Sequence, residues 1–178
     1  TTPETSAELV RICQVPSHPH CLANVGINIS EAESLGLFSE LADGNLEYLL
    51  TDAAEQQFSL VDRIISIWHV SQGLAHLHSA GVTHGSMGAP TVAFQWMKNG
   101  ITADPFPKWK GTKFTCKIAG YGLPRVPSEE GGEATMGGDV WALGVFIHRM
   151  LSGSKDEKSV NKKMTSKSFR PITISEGC

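Results

Sequence analysis

The stretch that decides the fold is Gly73-Leu74-Ala75-His76-Leu77-His78-Ser79-Ala80-Gly81-Val82-Thr83-His84-Gly85-Ser86. It passes from apolar residues at helical spacing, through a glycine, into a short loop that carries a histidine and a serine. Working backward from it, Leu60, Ile64, Ile67, Ser71, Leu74 and His78 recur at the period of one helical face. The spacing predicts a long amphipathic helix over Ser59–His78, with Ser79-Ala80-Gly81 as its exit. Asp62, Ser66, His69, Gly73 and His76 fall on the opposite face, where His69 and His76 are expected to be solvated.

Working forward, Val92–Trp96 and Phe114–Ala119 read as strands. The irregular stretch Met97–Lys113 between them holds an Asn99-Gly100 turn signal and Asp104-Pro105-Phe106-Pro107. Gly120–Gly138 is a glycine-rich loop. Val140–Leu151 is apolar nearly all round, the pattern of a helix buried on every side. From Ser152 to Lys167 the chain is polar and lysine-rich.

Upstream, Glu4–Val15 is expected to form a short helix stopped at Pro16, because proline lacks the amide N–H and restricts its predecessor. Cys21–Asn28 and Ser34–Glu40 read as strands around a turn at Ser30–Glu33. Asp43-Gly44-Asn45 reads as a turn before an apolar patch of Leu46, Tyr48, Leu49 and Leu50.

At 178 residues, 40% of them hydrophobic and 19% charged, the chain can bury a core and is not a disordered polyelectrolyte. A net charge of −3 supplies no general pull toward nucleic acid or anionic membrane. The four cysteines (Cys13, Cys21, Cys116, Cys178) show neither C-x-x-C pairing nor a disulfide framework, which favours a reducing, intracellular compartment. No apolar run is long enough to span a membrane, and the first residues do not read as a basic-then-apolar leader.

Three segments stand in a telling order. They are Gly73-Leu74-Ala75-His76-Leu77-His78-Ser79-Ala80-Gly81-Val82-Thr83-His84-Gly85-Ser86, then Lys117-Ile118-Ala119-Gly120-Tyr121-Gly122-Leu123, then Gly138-Asp139-Val140-Trp141-Ala142-Leu143-Gly144-Val145. They resemble the protein-kinase large-lobe patterns GLxxLHSxGVxHRD, KIxDFGL and SDVWSxGV. Ser17-His18-Pro19-His20 resembles the turn after the kinase mobile helix, and Glu40-Leu41-Ala42-Asp43-Gly44-Asn45-Leu46 the hinge and the following helix.

The resemblance spans about Glu8 to Gly153, with a tyrosine-kinase-like flavour. It implies an α+β, mostly helical fold: a kinase-like large lobe with a remnant of the small lobe, truncated at both ends. Residues 1–40 would be the small-lobe remnant, 41–153 the large-lobe core and 154–178 a polar tail.

The resemblance also shows what has changed. The catalytic Asp falls on Ser86, the arginine before it on Gly85, the loop lysine on Gly88 and the metal-binding Asn on Thr91. In the second motif Gly120 replaces the metal-binding Asp and Tyr121 the Phe. Magnesium favours anionic oxygens, so the usual metal site is not expected, and no cofactor is expected. Glu40, Leu41 and Ala42 would be a vestigial nucleotide hinge, and residues 1–7 are not expected to supply the strand that bears the nucleotide-clamping lysine. His84 and Asp139 match residues of the structural skeleton. Ser168-Phe169-Arg170-Pro171 matches a late kinase motif but arrives early.

Competing readings are weaker. His18-Pro19-His20-Cys21 could offer zinc ligands but reads more simply as a turn. Ser86 beside His84 lacks both an orienting carboxylate and a nucleophile elbow. The lysines with Phe106 and Trp109 in the Met97–Lys113 insertion could touch nucleic acid, yet a partner-contacting extension fits better. The expectation is a catalytically inactive kinase-like module that binds a protein partner or joins a larger complex, without nucleic acid or membrane. The alternative is an active or nucleotide-sensing enzyme whose small lobe lies outside this chain.

Overall fold

The computed structural model describes residues 12–29, 35–50, 58–97, 114–122 and 134–152. Within them, strands β1 (Asn24–Ile29) and β2 (Leu35–Ser39) pair antiparallel, with a bulge between Asn24 and Gly26. A second sheet has the order β3 (Gly44–Asn45), β4 (Val92–Trp96), β5 (Phe114–Ile118), all antiparallel. The described residues also form the α-helices α1 (Leu46–Leu49), α2 (Leu60–Ser79) and α3 (Met136–Ser152), with a short 3-10 turn at Ala89–Thr91. The expected strands therefore stand within a few residues of their predicted places. The apolar patch at Leu46–Leu50 proves to be a helical turn that buries Leu46, Leu49 and Leu50 and leaves Tyr48 exposed.

Local chemistry fixes the bounds of α2. Ser59 Oγ accepts the Asp62 N–H while the Asp62 carboxylate accepts the Ser59 N–H, a reciprocal capping box worth about 1 kcal/mol. At the other end Gly81 adopts φ +69°, which a side chain would resist. The Gly81 N–H bonds to the His78 carbonyl and the Val82 N–H to the Leu77 carbonyl. This paired closure silences the last carbonyls and turns the chain sharply into the loop at 82–91.

The face of α2 that enters the core differs from the one the apolar spacing predicts. Leu60 and Ile64 are exposed, whereas Ser66, His69, Val70, Gly73, Leu74 and Leu77 are buried. His69, expected in solvent, is only 3% exposed. The reason is that the polar side chains on this face find partners inside. Ser66 Oγ donates to the Asp62 carbonyl and accepts the Cys116 thiol, and His69 Nδ1 accepts the Cys116 N–H.

Gly73 lets the backbone of the 18–22 turn approach. A Cβ there would sit 2.4 Å from the His20 carbonyl oxygen. His76, on the same flank, is half-buried and bonds the Pro16 carbonyl.

Helix α3 is also less enclosed than its composition predicts. Val145, Phe146, Arg149 and Met150 are buried, but Val140 and Trp141 remain 58% and 46% exposed. An apolar run marks burial only when a second layer covers it, and the described residues cover these two only in part.

The main core joins Leu46, Leu49, Val70, Leu74, Leu77, Val92, Phe94, Cys116, Ile118, Phe146 and Met150 between the β3–β5 sheet and helices α2 and α3. The stretches 1–11, 30–34, 51–57, 98–113, 123–133 and 153–178 lie outside the described residues. With them go the expectations for Glu8, the Ser30–Glu33 turn, most of the Met97–Lys113 insertion, Ser168–Pro171 and the polar tail. Among the described residues no helix is long and apolar enough to cross a membrane.

Candidate functional site

The loop that leaves α2 is hung from one carboxylate. Asp139, in the first turn of α3 and 1% exposed, accepts the backbone N–H of His84 at 2.7 Å on one oxygen and that of Gly85 at 2.7 Å on the other. His78 Nε2 lies 3.0 Å from the same carboxylate. Burying a carboxylate is tolerable when its lone pairs are satisfied in this way. Thr135 prepares the helix start, since its Oγ1 accepts the Gly138 N–H and its carbonyl the Asp139 N–H.

Gly85, at φ +81°, bends the loop so that both amides reach Asp139. The His84 ring is buried, and its Nδ1 accepts the Ser86 N–H at 3.2 Å. That nitrogen thus serves the Ser86 backbone rather than its hydroxyl, and Ser86 itself is exposed. Thr91 is turned inward on the loop: its hydroxyl donates to the Gly88 carbonyl at 3.0 Å and accepts the Gly88 N–H at 3.1 Å.

The second segment leaves β5 opposite this loop. The Ala119 N–H bonds the Thr91 carbonyl, so the two segments are joined directly. Gly120 and Gly122 both have positive φ, +69° and +66°, and the space a Cβ at Gly122 would need is filled by the Ile12 side chain. Between them Tyr121 is 3% exposed and donates its hydroxyl to the Leu22 carbonyl at 2.9 Å. Burial pushes this phenol up to about 12, with the nearby Cys21, Cys13 and Glu40 adding to the effect, so it remains a donor.

The third group lies where β2 runs into β3. Glu40 is held by the Lys117 ammonium at 2.7 Å, the Ala23 N–H at 2.9 Å and the Gln95 amide at 3.3 Å. Partial burial pushes its carboxyl up, but the hydrogen bonds of Lys117 and Ala23, the Lys117 charge and Gln95 outweigh this and hold it below its ordinary value. Gln95 also donates to the Leu41 carbonyl at 2.6 Å, while the Leu41 side chain is 90% exposed. This connection is stitched to the β4–β5 sheet.

Ser86, Thr91, Gly120 and Tyr121 thus sit on two segments joined between Ala119 and Thr91, with His84 and Asp139 beneath the first. Glu40, Leu41 and Ala42 form a separate group at the neck of β1–β2. The five carboxylates among the described residues are Glu40, Asp43, Glu47, Asp62 and Asp139. Each is engaged in a structural bond: Asp43 with the Trp96 N–H, Glu47 with Arg149, and the others as above.

The donors on the two segments are therefore a neutral hydroxyl, a hydroxyl already spent on its own loop, and a glycine. None of these is an anionic oxygen of the kind magnesium favours. Nor are three His, Cys, Asp or Glu side chains grouped to hold another metal among the described residues. At the His18–Cys21 turn the Cys21 thiol instead donates to the Gly73 carbonyl. Sequence reasoning missed the anchoring roles of His78, Lys117, Gln95 and Arg149. Their partners lie far away along the chain, and no short-range pattern marks them.

No protein-family model and no curated protein matches this chain. Among solved structures it is similar to a chain of the CAK complex from Chaetomium thermophilum bound to ATP-gamma-S, CAK being the cyclin-dependent kinase-activating kinase. The TM-score is 0.60 at 16% sequence identity, over 92% of this chain and 55% of that one. The chain spans about half the length of the solved chain it matches. Fold and comparison together define the class: the protein has a protein-kinase-like α+β fold.

Proposed function

We propose that this chain is a catalytically inactive kinase-like domain that acts by binding, as a scaffold or structural subunit of a larger assembly. The observation that carries this reading is the donor set of the two joined segments: Ser86, Thr91 and Gly120 stand where the family's resemblance calls for carboxylate or amide oxygens. Every described carboxylate meanwhile serves a structural bond. Phosphoryl transfer relies on positioned cations and acids to balance developing charge, and these side chains supply neither.

Binding as the mode of action is supported by apolar side chains at the surface. Trp141 and Val140 on α3, with Leu60, Val61 and Ile64 on α2, are each at least 42% exposed. The similar solved chain is itself part of a complex. Free Cys13, Cys21 and Cys116 support an intracellular, reducing setting.

The test is a thermal-shift titration with ATP, alone and with magnesium or manganese, beside a phosphotransfer assay on a generic protein substrate. No metal-dependent shift and no transfer are expected. A metal-dependent rise in melting temperature, with turnover lost on substituting Ser86 or Thr91, would overturn the proposal in favour of an active enzyme. A shift with ATP alone would point to nucleotide sensing near Glu40–Ala42.

A further inference from the structure

The 18–22 turn meets α2 and β5 through a set of imidazoles that the kinase-like reading leaves unused. His20 and His69, each 3% exposed, stack with ring centroids 4.1 Å apart and planes inclined by 19°. Both bond the same peptide residue on β5. The His20 Nδ1 lies 3.1 Å from the Cys116 carbonyl oxygen, and the His69 Nδ1 accepts the Cys116 N–H at 3.2 Å.

The two rings thus do for Cys116 what a neighbouring strand would do. The turn backbone continues the job at Ile118, whose N–H bonds the His20 carbonyl and whose carbonyl accepts the Leu22 N–H. Outside this pair, His18 stacks on His76 at 4.6 Å, and His18 Nδ1 accepts the His20 N–H at 3.1 Å.

These bonds dictate the protonation states. A carbonyl only accepts, so His20 carries its proton on Nδ1. An amide N–H only donates, so His69 must leave Nδ1 bare and carry its proton on Nε2. An imidazolium has N–H at both positions, so a proton gained by His69 would set N–H against the Cys116 N–H. Two stacked imidazoliums would also repel at 4.1 Å. Charged groups that act on the joint's two cysteines include Asp62 on α2, felt by Cys116, and Lys117 on β5, felt by Cys21. The further titratable groups are His18 and Cys21 on the turn, His76 on α2 and Cys116 on β5.

We infer that this joint is an acid-operated latch: neutral His69 and His20 hold the 18–22 turn and its β1–β2 hairpin on the α2–β5 face, and protonation of His69 releases them. The latch is independent of whether the domain binds nucleotide. It makes the attitude of the β1–β2 hairpin depend on acidity.

The test is amide hydrogen exchange on the whole chain between about pH 7.5 and about pH 5, corrected for intrinsic rates and referenced to the core amide of Phe146 on α3. The Cys116, Ile118 and Leu22 amides should lose protection by about tenfold or more relative to Phe146 on acidification. His69→Asn keeps an acceptor oxygen near the Nδ1 position but cannot take up the proton, and it should abolish that step. An unchanged step in H69N, or none in the native chain, overturns the latch.

Nitrogen-15 spectra of histidine-labelled native protein decide the matter even if H69N does not fold. His69 should be the Nε2–H tautomer at neutral pH, and its titration should track the loss of Cys116 protection. A proton on His69 Nδ1 at neutral pH, or a titration that leaves Cys116 protected, overturns it equally.

Discussion

Arg149 on α3 grips Glu47 on α1 through two parallel hydrogen bonds of 2.7 Å, across 102 residues of chain. The guanidinium is buried, its side chain 3% exposed, while the Glu47 side chain is 43% exposed. The pair ties the first helix of the core to the last one, and planar two-point geometry is what arginine offers and lysine does not. Glu47→Ala is expected to cost about 1–3 kcal/mol, because a buried guanidinium loses the carboxylate that pairs with it. Arg149→Met should cost less than E47A despite removing the larger group. Urea unfolding of both variants checks the order, and a costlier R149M would refute this account.

Asp139 makes a sharper case, because each of its oxygens faces a backbone N–H. Asp139→Asn places an NH2 group against one of those donors and removes the charge that strengthens the other bond. A loss of about 2–3 kcal/mol is expected, with faster exchange at the His84 and Gly85 amides. Stability within about 0.5 kcal/mol of the native chain would show that the loop does not depend on Asp139.

Gly73→Ala tests close approach against helix propensity. In an open helix the change should stabilise by about 1 kcal/mol. Here the new Cβ would lie 2.4 Å from the His20 carbonyl oxygen and 3.1 Å from the Ile118 side chain. The backbone contact cannot yield without moving the 18–22 turn, so the expected sign is reversed, a destabilisation of about 1–3 kcal/mol. A rise in melting temperature would contradict the packing described.

The pH dependence of stability carries a signature of Glu40. Its folded carboxyl is held below the ordinary value of 4.5, so it contributes stability that is present above that value. The contribution fades as pH falls through the depressed folded value. Glu40→Gln should therefore flatten the acid limb of the stability profile below about pH 4.5 and leave the neutral region less affected by pH. A double-mutant cycle with Lys117→Met should give a coupling of about 1 kcal/mol, as expected for a partly exposed pair. An unaltered acid limb in E40Q would remove Glu40 from this role.

Thiol chemistry reports on the core. Burial pushes both the Cys21 and the Cys116 thiols up to about 12, so neither offers a thiolate near neutrality. In the folded chain Cys13, which is half-buried, should react with an alkylating reagent while Cys21 and Cys116 stay unmodified until unfolding. Peptide mapping after a short neutral-pH pulse checks this. Rapid labelling of Cys116 would mean that the α2–β5 contact opens readily.

Much of the frame was readable along the chain. The spacing of apolar residues marks α2 from Ser59 with its exit at Ser79-Ala80-Gly81, and β4 is read at Val92–Trp96, its observed bounds. The order of motifs alone singles out Ser86, Thr91, Gly120 and Tyr121; that their two segments are joined through Ala119 and Thr91 needed the structure. The inward face of α2 was not, because periodicity treats Ser66, His69 and Gly73 as polar or small and so as solvated. Their burial follows from partners on β5 and the 18–22 turn. Val140 and Trp141 erred in the opposite direction: an apolar stretch predicts a covering layer but cannot supply one.

By itself, then, the sequence determined the order of helices and strands and which side chains stand on the two joined segments, since caps, turns and side-chain types act within a few residues. Only the tertiary structure decided that Asp139 holds the His84 and Gly85 amides, that Arg149 takes Glu47, and that His20 and His69 share the Cys116 peptide. Each of these depends on groups brought together from distant positions in a dry interior. There a polar side chain is stable only beside its partner, and no local pattern names that partner in advance.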